Sequence, residues 1–171
     1  MRLVLLVVLF ACSCAGQVRE VNSTTPPSWS LALLPQNVRV DPLLAPWTQA
    51  ASLASAFWNT QVGRPVFTFA GYGRPASLGV QTVYIQLDIR IRHPKARIHV
   101  DRSGRIVYCE IFVPTLYMPR SLSVLTHELG HCLGLTHYQD CPNVMHPRLD
   151  KVRLDVILHR DIRRLREIYA Y

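Results

Sequence analysis

The stretch that most restricts what this chain can become runs His127-Glu128-Leu129-Gly130-His131-Cys132-Leu133-Gly134-Leu135-Thr136-His137. On a helix, His127 and His131 stand four positions apart and share a face, so both imidazoles can reach one zinc ion. Glu128 then faces a water on that zinc and can act as its general base. Gly134 lets the chain turn sharply out of the helix, and the turn can return His137 as a third nitrogen ligand. Three protein ligands plus a water is the open tetrahedral arrangement of catalytic zinc, not the closed arrangement of structural zinc. A core helix carrying these residues by accident would have to accommodate three imidazoles and a carboxylate with no job, which burial penalises.

With Asn143-Val144-Met145-His146-Pro147 downstream, the string resembles the metzincin signature, H-E-x-x-H-x-x-G-x-x-H followed by a Met-turn. Met145 follows His137 by eight positions, the spacing of matrixins: the matrix metalloproteinases and their minimal microbial relatives. The resemblance implies an α+β, zincin-like fold. That is a twisted mixed β-sheet of about four to five strands with three α-helices and a zinc cleft below the edge strand. It implies one catalytic zinc ion, a protein or peptide substrate, and Met145 as a hydrophobic floor rather than a ligand.

In matrixins the edge strand above the cleft holds substrate by antiparallel pairing. The segment 96–100 is the candidate here, which assigns Ile98, His99 and Val100 to substrate contact, with His146 and Pro147 at the pocket wall. His146 stands where the family usually has Tyr, so specificity is not inherited with the chemistry. The pattern Leu158, Asp161-Ile162, Leu165, Ile168-Tyr169 is similar to the last matrixin helix, whose Asp supports the Met-turn; Asp161 takes that role by resemblance. Arg160 stands where matrix metalloproteinases often carry a second Asp. Those enzymes also hold structural zinc and calcium near the hairpin. Asp88, His93, His99 and Asp101 do not match that ligand spacing, and calcium wants more clustered oxygens, so neither ion is expected.

The chain has 171 residues, enough for one domain with a real core. Arg2, the apolar run 3–11 and the small residues Ser13-Cys14-Ala15 read as a signal peptide over residues 1–16, too short to span a bilayer comfortably. Secretion is the expectation. The alternative is a lipid anchor at Cys12, since Leu9-Phe10-Ala11-Cys12 loosely resembles a bacterial lipobox, although Phe10 fits poorly. Residues 17–36, with Pro26, Pro27 and Pro35, read as a flexible arm, and residues 37–171 as the catalytic domain. Matrix metalloproteinases usually carry a prodomain whose cysteine caps the zinc. The arm has no cysteine, so that latency mechanism is not expected.

Of the five cysteines, Cys109, Cys132 and Cys141 follow the signal segment. In an oxidising compartment a Cys132–Cys141 bridge would tie the zinc helix to the Met-turn loop. Cys109 then reads as a small buried hydrophobe in a strand; its pairing with one of the other two is the alternative. The formal charge of +8 favours anionic partners such as acidic polysaccharide. No nucleic-acid motif accompanies it, so no specific nucleic-acid partner is expected.

Along the chain, 37–41 alternates as a short strand, and Trp47, Ala50, Leu53, Ala54, Phe57 and Trp58 recur at helical spacing as a core stripe. Residues 65–69 form a second strand. Val83, Ile85, Leu87, Ile89 and Ile91 alternate as one strand with a single buried face. Segments 96–100 and 105–113 form a hairpin turning at 101–104. Ser121 or Ser123 is placed to cap the zinc helix. The expected function is a secreted zinc endopeptidase in which Glu128 activates the zinc-bound water. The alternative is a secreted binding or toxin-like module that keeps the zinc shell with little proteolysis. The intact Glu128 argues against it.

Overall fold

A computed structural model describes residues 27–75, 81–114 and 120–169. Strands β1 (Ser28–Trp29), β2 (Gln36–Val40), β3 (Phe67–Tyr72), β4 (Thr82–Leu87), β5 (Lys95–Val100) and β6 (Arg105–Val113) form one sheet, packed with helices α1 (Thr48–Val62), α2 (Ser121–Cys132) and α3 (His159–Tyr169). The strand order is β1-β6-β4-β2-β3, with β5 also on β6. Every pairing is parallel except β5 against β6. The mixed α+β architecture is the one expected from the zinc-site resemblance. The sixth strand comes from the two-residue β1.

Parallel neighbours require a crossover, and α1 supplies it between β2 and β3. Its buried face is Ala50, Ala51, Ala54, Ser55, Trp58 and Val62. Leu53, expected in that stripe, is 49% exposed. Small alanines let α1 lie close to its neighbours, and Trp58 fills the space beyond. The helix stops at Gly63, whose φ of 85° is left-handed and suits glycine. Asn59 then fastens the helix end to β3: its Oδ1 accepts from the Val66 and Phe67 N–H groups and its Nδ2 donates to the Phe67 carbonyl.

The long alternating run from Val83 to Ile91 is not one strand. β4 ends at Leu87 because the Asp88 carboxylate captures the Arg90 N–H and guanidinium, and the Ile91 N–H turns back to the Asp88 carbonyl. Ile89 is left 77% exposed. Nor is β4 buried on one face only. It lies between β2 and β6, and Tyr84 is buried with its hydroxyl donating to Asp41. The β5–β6 hairpin forms as expected. Asp101 Oδ1 accepts from the Ser103 and Arg105 N–H groups, and Gly104 takes the left-handed position.

The N-terminal segment departs from expectation. A flexible arm was expected through residue 36, yet Ser28–Trp29 pairs with β6 and Trp29 is 2% exposed. The Trp29 indole N–H donates to the Cys132 carbonyl at 2.7 Å, and its backbone N–H donates to the Tyr169 hydroxyl. A large aromatic with satisfied polar atoms outweighs the irregular, proline-rich character of its surroundings. Residues 17–26 of the expected arm, the signal peptide and Cys12 lie outside the described residues.

Cysteine pairing also differs. The disulfide joins Cys109 to Cys132, with Cα atoms 5.8 Å apart, and Cys141 is the free thiol among the described residues. Cys109 is not a lone hydrophobe and Cys132 does not bridge to Cys141. The alternation of β6 aims Cys109 at the helical layer, and the last turn of α2 brings Cys132 to it; both are fully buried. Cys141 sits half-exposed on the loop beyond the site. No described helix is long and apolar enough to cross a membrane.

A bridge spanning 23 positions removes enough chain entropy from the unfolded state to stabilise by about 3 kcal/mol. Cys109→Ala is therefore expected to lower denaturant stability by roughly that amount, while Cys141→Ser changes it little. Peptide mapping without reductant should find Cys141 alkylated and Cys109 joined to Cys132; a Cys132–Cys141 peptide would refute the assignment.

Candidate active site

Helix α2 positions the first half of the motif. Val124, Leu125, Leu129 and Cys132 bury its inner side, and His127 and Glu128 are each only 3% exposed. Neither Ser121 nor Ser123 caps it; the helix starts after Arg120 with no side-chain cap. Its other end is built more tightly. Leu135 N–H bonds the Gly130 carbonyl and Gly134 N–H bonds the His131 carbonyl. Gly134 has φ 88°, and a Cβ there would lie 2.2 Å from the Pro27 carbonyl oxygen. Both the reversal and the neighbouring strand lead-in therefore require glycine.

The reversal returns His137 to the two helical imidazoles. The three Nε2 atoms form a triangle with sides of 3.0, 3.1 and 3.2 Å. His127 Nδ1–H donates to the Val144 carbonyl at 2.9 Å, and His131 Nδ1–H donates to the Leu135 carbonyl at 2.8 Å. These bonds fix the tautomer and turn a lone pair of each Nε2 inward. The His127–His131 contact is thus acceptor to acceptor, not a hydrogen bond. A cation satisfies both at once. Zinc–nitrogen bonds of about 2.0–2.1 Å at tetrahedral angles put ligand nitrogens about 3.3 Å apart, close to this triangle. Among the described residues this is the one cluster of three or more groups able to hold a metal. The donor set fits zinc.

Burial keeps the imidazoles neutral, as ligands must be. It pushes His127 down to about 3 and His131 to about 4, with smaller contributions from the neighbouring histidines, and it also lowers the more exposed His137. Glu128 moves the other way. Burial pushes its carboxyl up to about 8, against one bond from the Ala96 N–H. Its Oε2 is buried with no partner among the described residues. A divalent cation held by the imidazoles is the charge that would draw Glu128 back toward ionisation.

Met145 is fully buried at the turn below α2. A Cβ on Gly130 would come within 2.5 Å of the Met145 sulfur and 2.8 Å of the Trp58 ring, so glycine just before His131 is what lets the floor approach the helix. Asn143, itself fully buried, shapes the turn: its Oδ1 accepts from the Met145 N–H and its Nδ2 donates to the Tyr138 and Cys141 carbonyls. Trp58 holds the other side, its indole N–H donating to the Thr126 carbonyl one residue before His127. Gly130, Asn143 and Trp58 escaped the sequence reading as site residues. Gly130 was visible as an unassigned glycine inside a helix, a position that usually has a packing reason.

Asp161 is buried, but the Met-turn is held by other partners. The Val144 N–H goes to the Val156 carbonyl, and the Met145 and His146 N–H groups go to Asn143. The support expected of Asp161 is supplied by Asn143 and the 153–156 segment. Asp161 instead faces Arg160 at 3.4 Å, with its other oxygen unpartnered among the described residues.

The imidazoles open into a cleft of about 910 Å³ whose walls include Ala96 and Ile98 from β5, and Leu135, Pro147 and Leu149 opposite. Ala96 gives its N–H to Glu128 rather than to β6. By the two-residue period of an antiparallel pair, the Ile98 backbone also faces away from β6, along the cleft. Of the residues assigned to substrate contact, Ile98 and Pro147 line the cleft. His99 does not: it stacks on Tyr108 and bonds Glu110 at 2.9 Å. Val100 lies beyond the cleft at the far end of β5, past the register shift. His146 is 3% exposed, and its Nδ1 accepts from the Arg148 N–H behind the wall. Asp88 and Asp101 are engaged by Arg90 and Arg105.

A mixed sheet carrying a three-imidazole centre with a buried glutamate alongside defines a zinc hydrolase of the metzincin type. Residues 86–170 match the family model described as Matrixin, and the histidines, Gly134 and Met145 all fall within that segment. That segment, which carries the whole three-imidazole centre, is matrixin-like. No curated protein sequence matches it.

The opposed shifts of Glu128 and the helical imidazoles give the metal-stripped protein a stability maximum. The Glu128 folded value lies above its ordinary 4.5, so stability is lost as pH rises from 4.5 toward 8. The imidazoles lie below their ordinary 6.5, so stability is lost as pH falls below 6.5. With two imidazoles opposing one carboxyl, stability should peak near pH 6.5 in urea titrations with chelator present. Glu128→Gln should flatten the alkaline limb; an unchanged limb would contradict the assigned shift.

Proposed function

We propose that the protein is a secreted zinc-dependent endopeptidase in which Glu128 moves the protons of peptide hydrolysis. The observation that carries this reading is the buried Oε2 of Glu128, without a partner among the described residues, beside three convergent imidazole nitrogens. One ion held by His127, His131 and His137 would supply Lewis acidity toward a water and the scissile carbonyl. Glu128 takes a proton from the attacking water and hands it to the leaving amine, so that water is added across the C–N bond. The desolvated carboxyl suits that exchange because its proton affinity is already raised. The outward-facing backbone of Ala96 and Ile98 offers an extended peptide an antiparallel partner, which would align its carbonyl with the centre. Met145 acts only by packing.

The buried Cys109–Cys132 bridge supports a secretory route, since such bonds persist in oxidising compartments. The exposed side of α3, with Arg160, Arg163 and Arg166, is the surface best suited to the anionic polysaccharide that the net charge suggests.

Glu128→Ala should lower kcat/KM on a peptide substrate by about 10²–10⁴-fold while zinc content stays at the wild-type level. His137→Ala should instead weaken zinc binding by more than the roughly 10–100-fold typical of an outer-shell loss. Wild-type turnover by zinc-loaded Glu128→Ala would eliminate the mechanism.

A further inference from the structure

The walls of the cleft are unevenly charged. Lys95, at the start of β5, and Arg120, one residue before α2, both line it, as does Arg148. The carboxylates lining it are Glu128 and Asp150. Asp150 is already bound to Arg148 at 3.0 Å, and Glu128 is the buried proton carrier. Among the described residues no salt bridge joins Lys95 or Arg120 to a carboxylate. Lys95 reaches over the Phe112 ring at 5.4 Å, and the nearby Asp88 is occupied by Arg90. The first turn of α2 contains no acidic residue, so the positive end of its dipole adds to Arg120.

We propose, resting on the peptidase reading above, that this cleft selects peptide segments carrying aspartate or glutamate beside the scissile bond. A peptide laid along β5 passes Lys95 at the wall. Two cations without carboxylate partners, in a concave site with apolar walls, attract anionic side chains and repel cationic ones. Apolar wall residues such as Leu135 and Leu149 would still take an uncharged side chain, so the charges act on flanking positions of the same segment.

The test uses one peptide scaffold in three forms, with flanking Glu, Gln or Lys, and reads kcat/KM for each in zinc-loaded protein at low and high salt. The expected result is a Glu-to-Gln ratio on the order of ten that shrinks with added salt, with Lys cleaved slowest. In Lys95→Glu/Arg120→Glu the ratio should fall below one. Lys95→Gln/Arg120→Gln should bring it near one, with zinc content reporting that both variants fold. A wild-type ratio of one or less overturns the preference while leaving the peptidase reading intact. So does a ratio unchanged by charge reversal. No cleavage of any form by the zinc-loaded wild type overturns the peptidase reading, and the preference with it.

Discussion

Three imidazole nitrogens are held about as close as a tetrahedral metal requires, two of them acceptor to acceptor and so mutually repelling in the absence of a cation, and the rest of the molecule is arranged to hold them there. His127 and His131 cannot swing apart, because each is anchored by its second nitrogen to a backbone carbonyl, Val144 or Leu135. Both carbonyls belong to chain that follows α2, so the rings are fixed only if the chain reverses correctly at Gly134. The reversal, in turn, is possible only against the Pro27 carbonyl with no side chain intervening. Ligand geometry is therefore set by backbone far from the helix in sequence.

That dependence explains the strength of the construction behind the centre. The end of α2 is where β1, β6 and α3 converge. Cys132 is bonded covalently to β6, and its carbonyl accepts the Trp29 indole. The Tyr169 hydroxyl donates to the Leu133 carbonyl and accepts the Trp29 N–H. Burial accordingly raises the Tyr169 phenol out of its ordinary range, so it remains a donor at any working pH. These ties satisfy carbonyls that a helix end leaves orphaned, and they do so with fixed partners rather than water.

Local features were readable from the chain alone. The four-residue histidine spacing, the left-handed glycine, the hairpin and the amphipathic last helix each depend on contacts within a few residues. What was not readable depends on which distant segment arrives. Cys132 is nearer in sequence to Cys141, yet the β6 alternation delivers Cys109 to it. Trp29 sits among prolines and serines that suggest a loose arm, but its ring is consumed by the core. The alternation through Ile89 and Ile91 is a true period-two signal, overridden by a single Asp–Arg turn. Asp161 inherited a role from a resemblance that Asn143 fills instead, because Asn143 can serve both the N–H and carbonyl groups of one tight turn.

The same division separates chemistry from selectivity. The groups that act on a scissile bond are pinned: Glu128 and His127 are buried and His131 half-buried, with rings or carboxyl tied to backbone. The groups that would choose among substrates, Lys95 and Arg120, are solvent-accessible side chains at the margins of the cleft. Long flexible cations at a rim cost little to the fold when exchanged, since no core packing depends on them. A charge reversal there changes which peptides are attracted without disturbing the triangle beneath. Reversing the charge of a pinned group would instead leave an uncompensated ion in the interior. The architecture thus permits the substrate preference to vary independently of the hydrolytic centre, which is why His146, buried behind the wall, is a less informative guide to specificity than the two exposed cations.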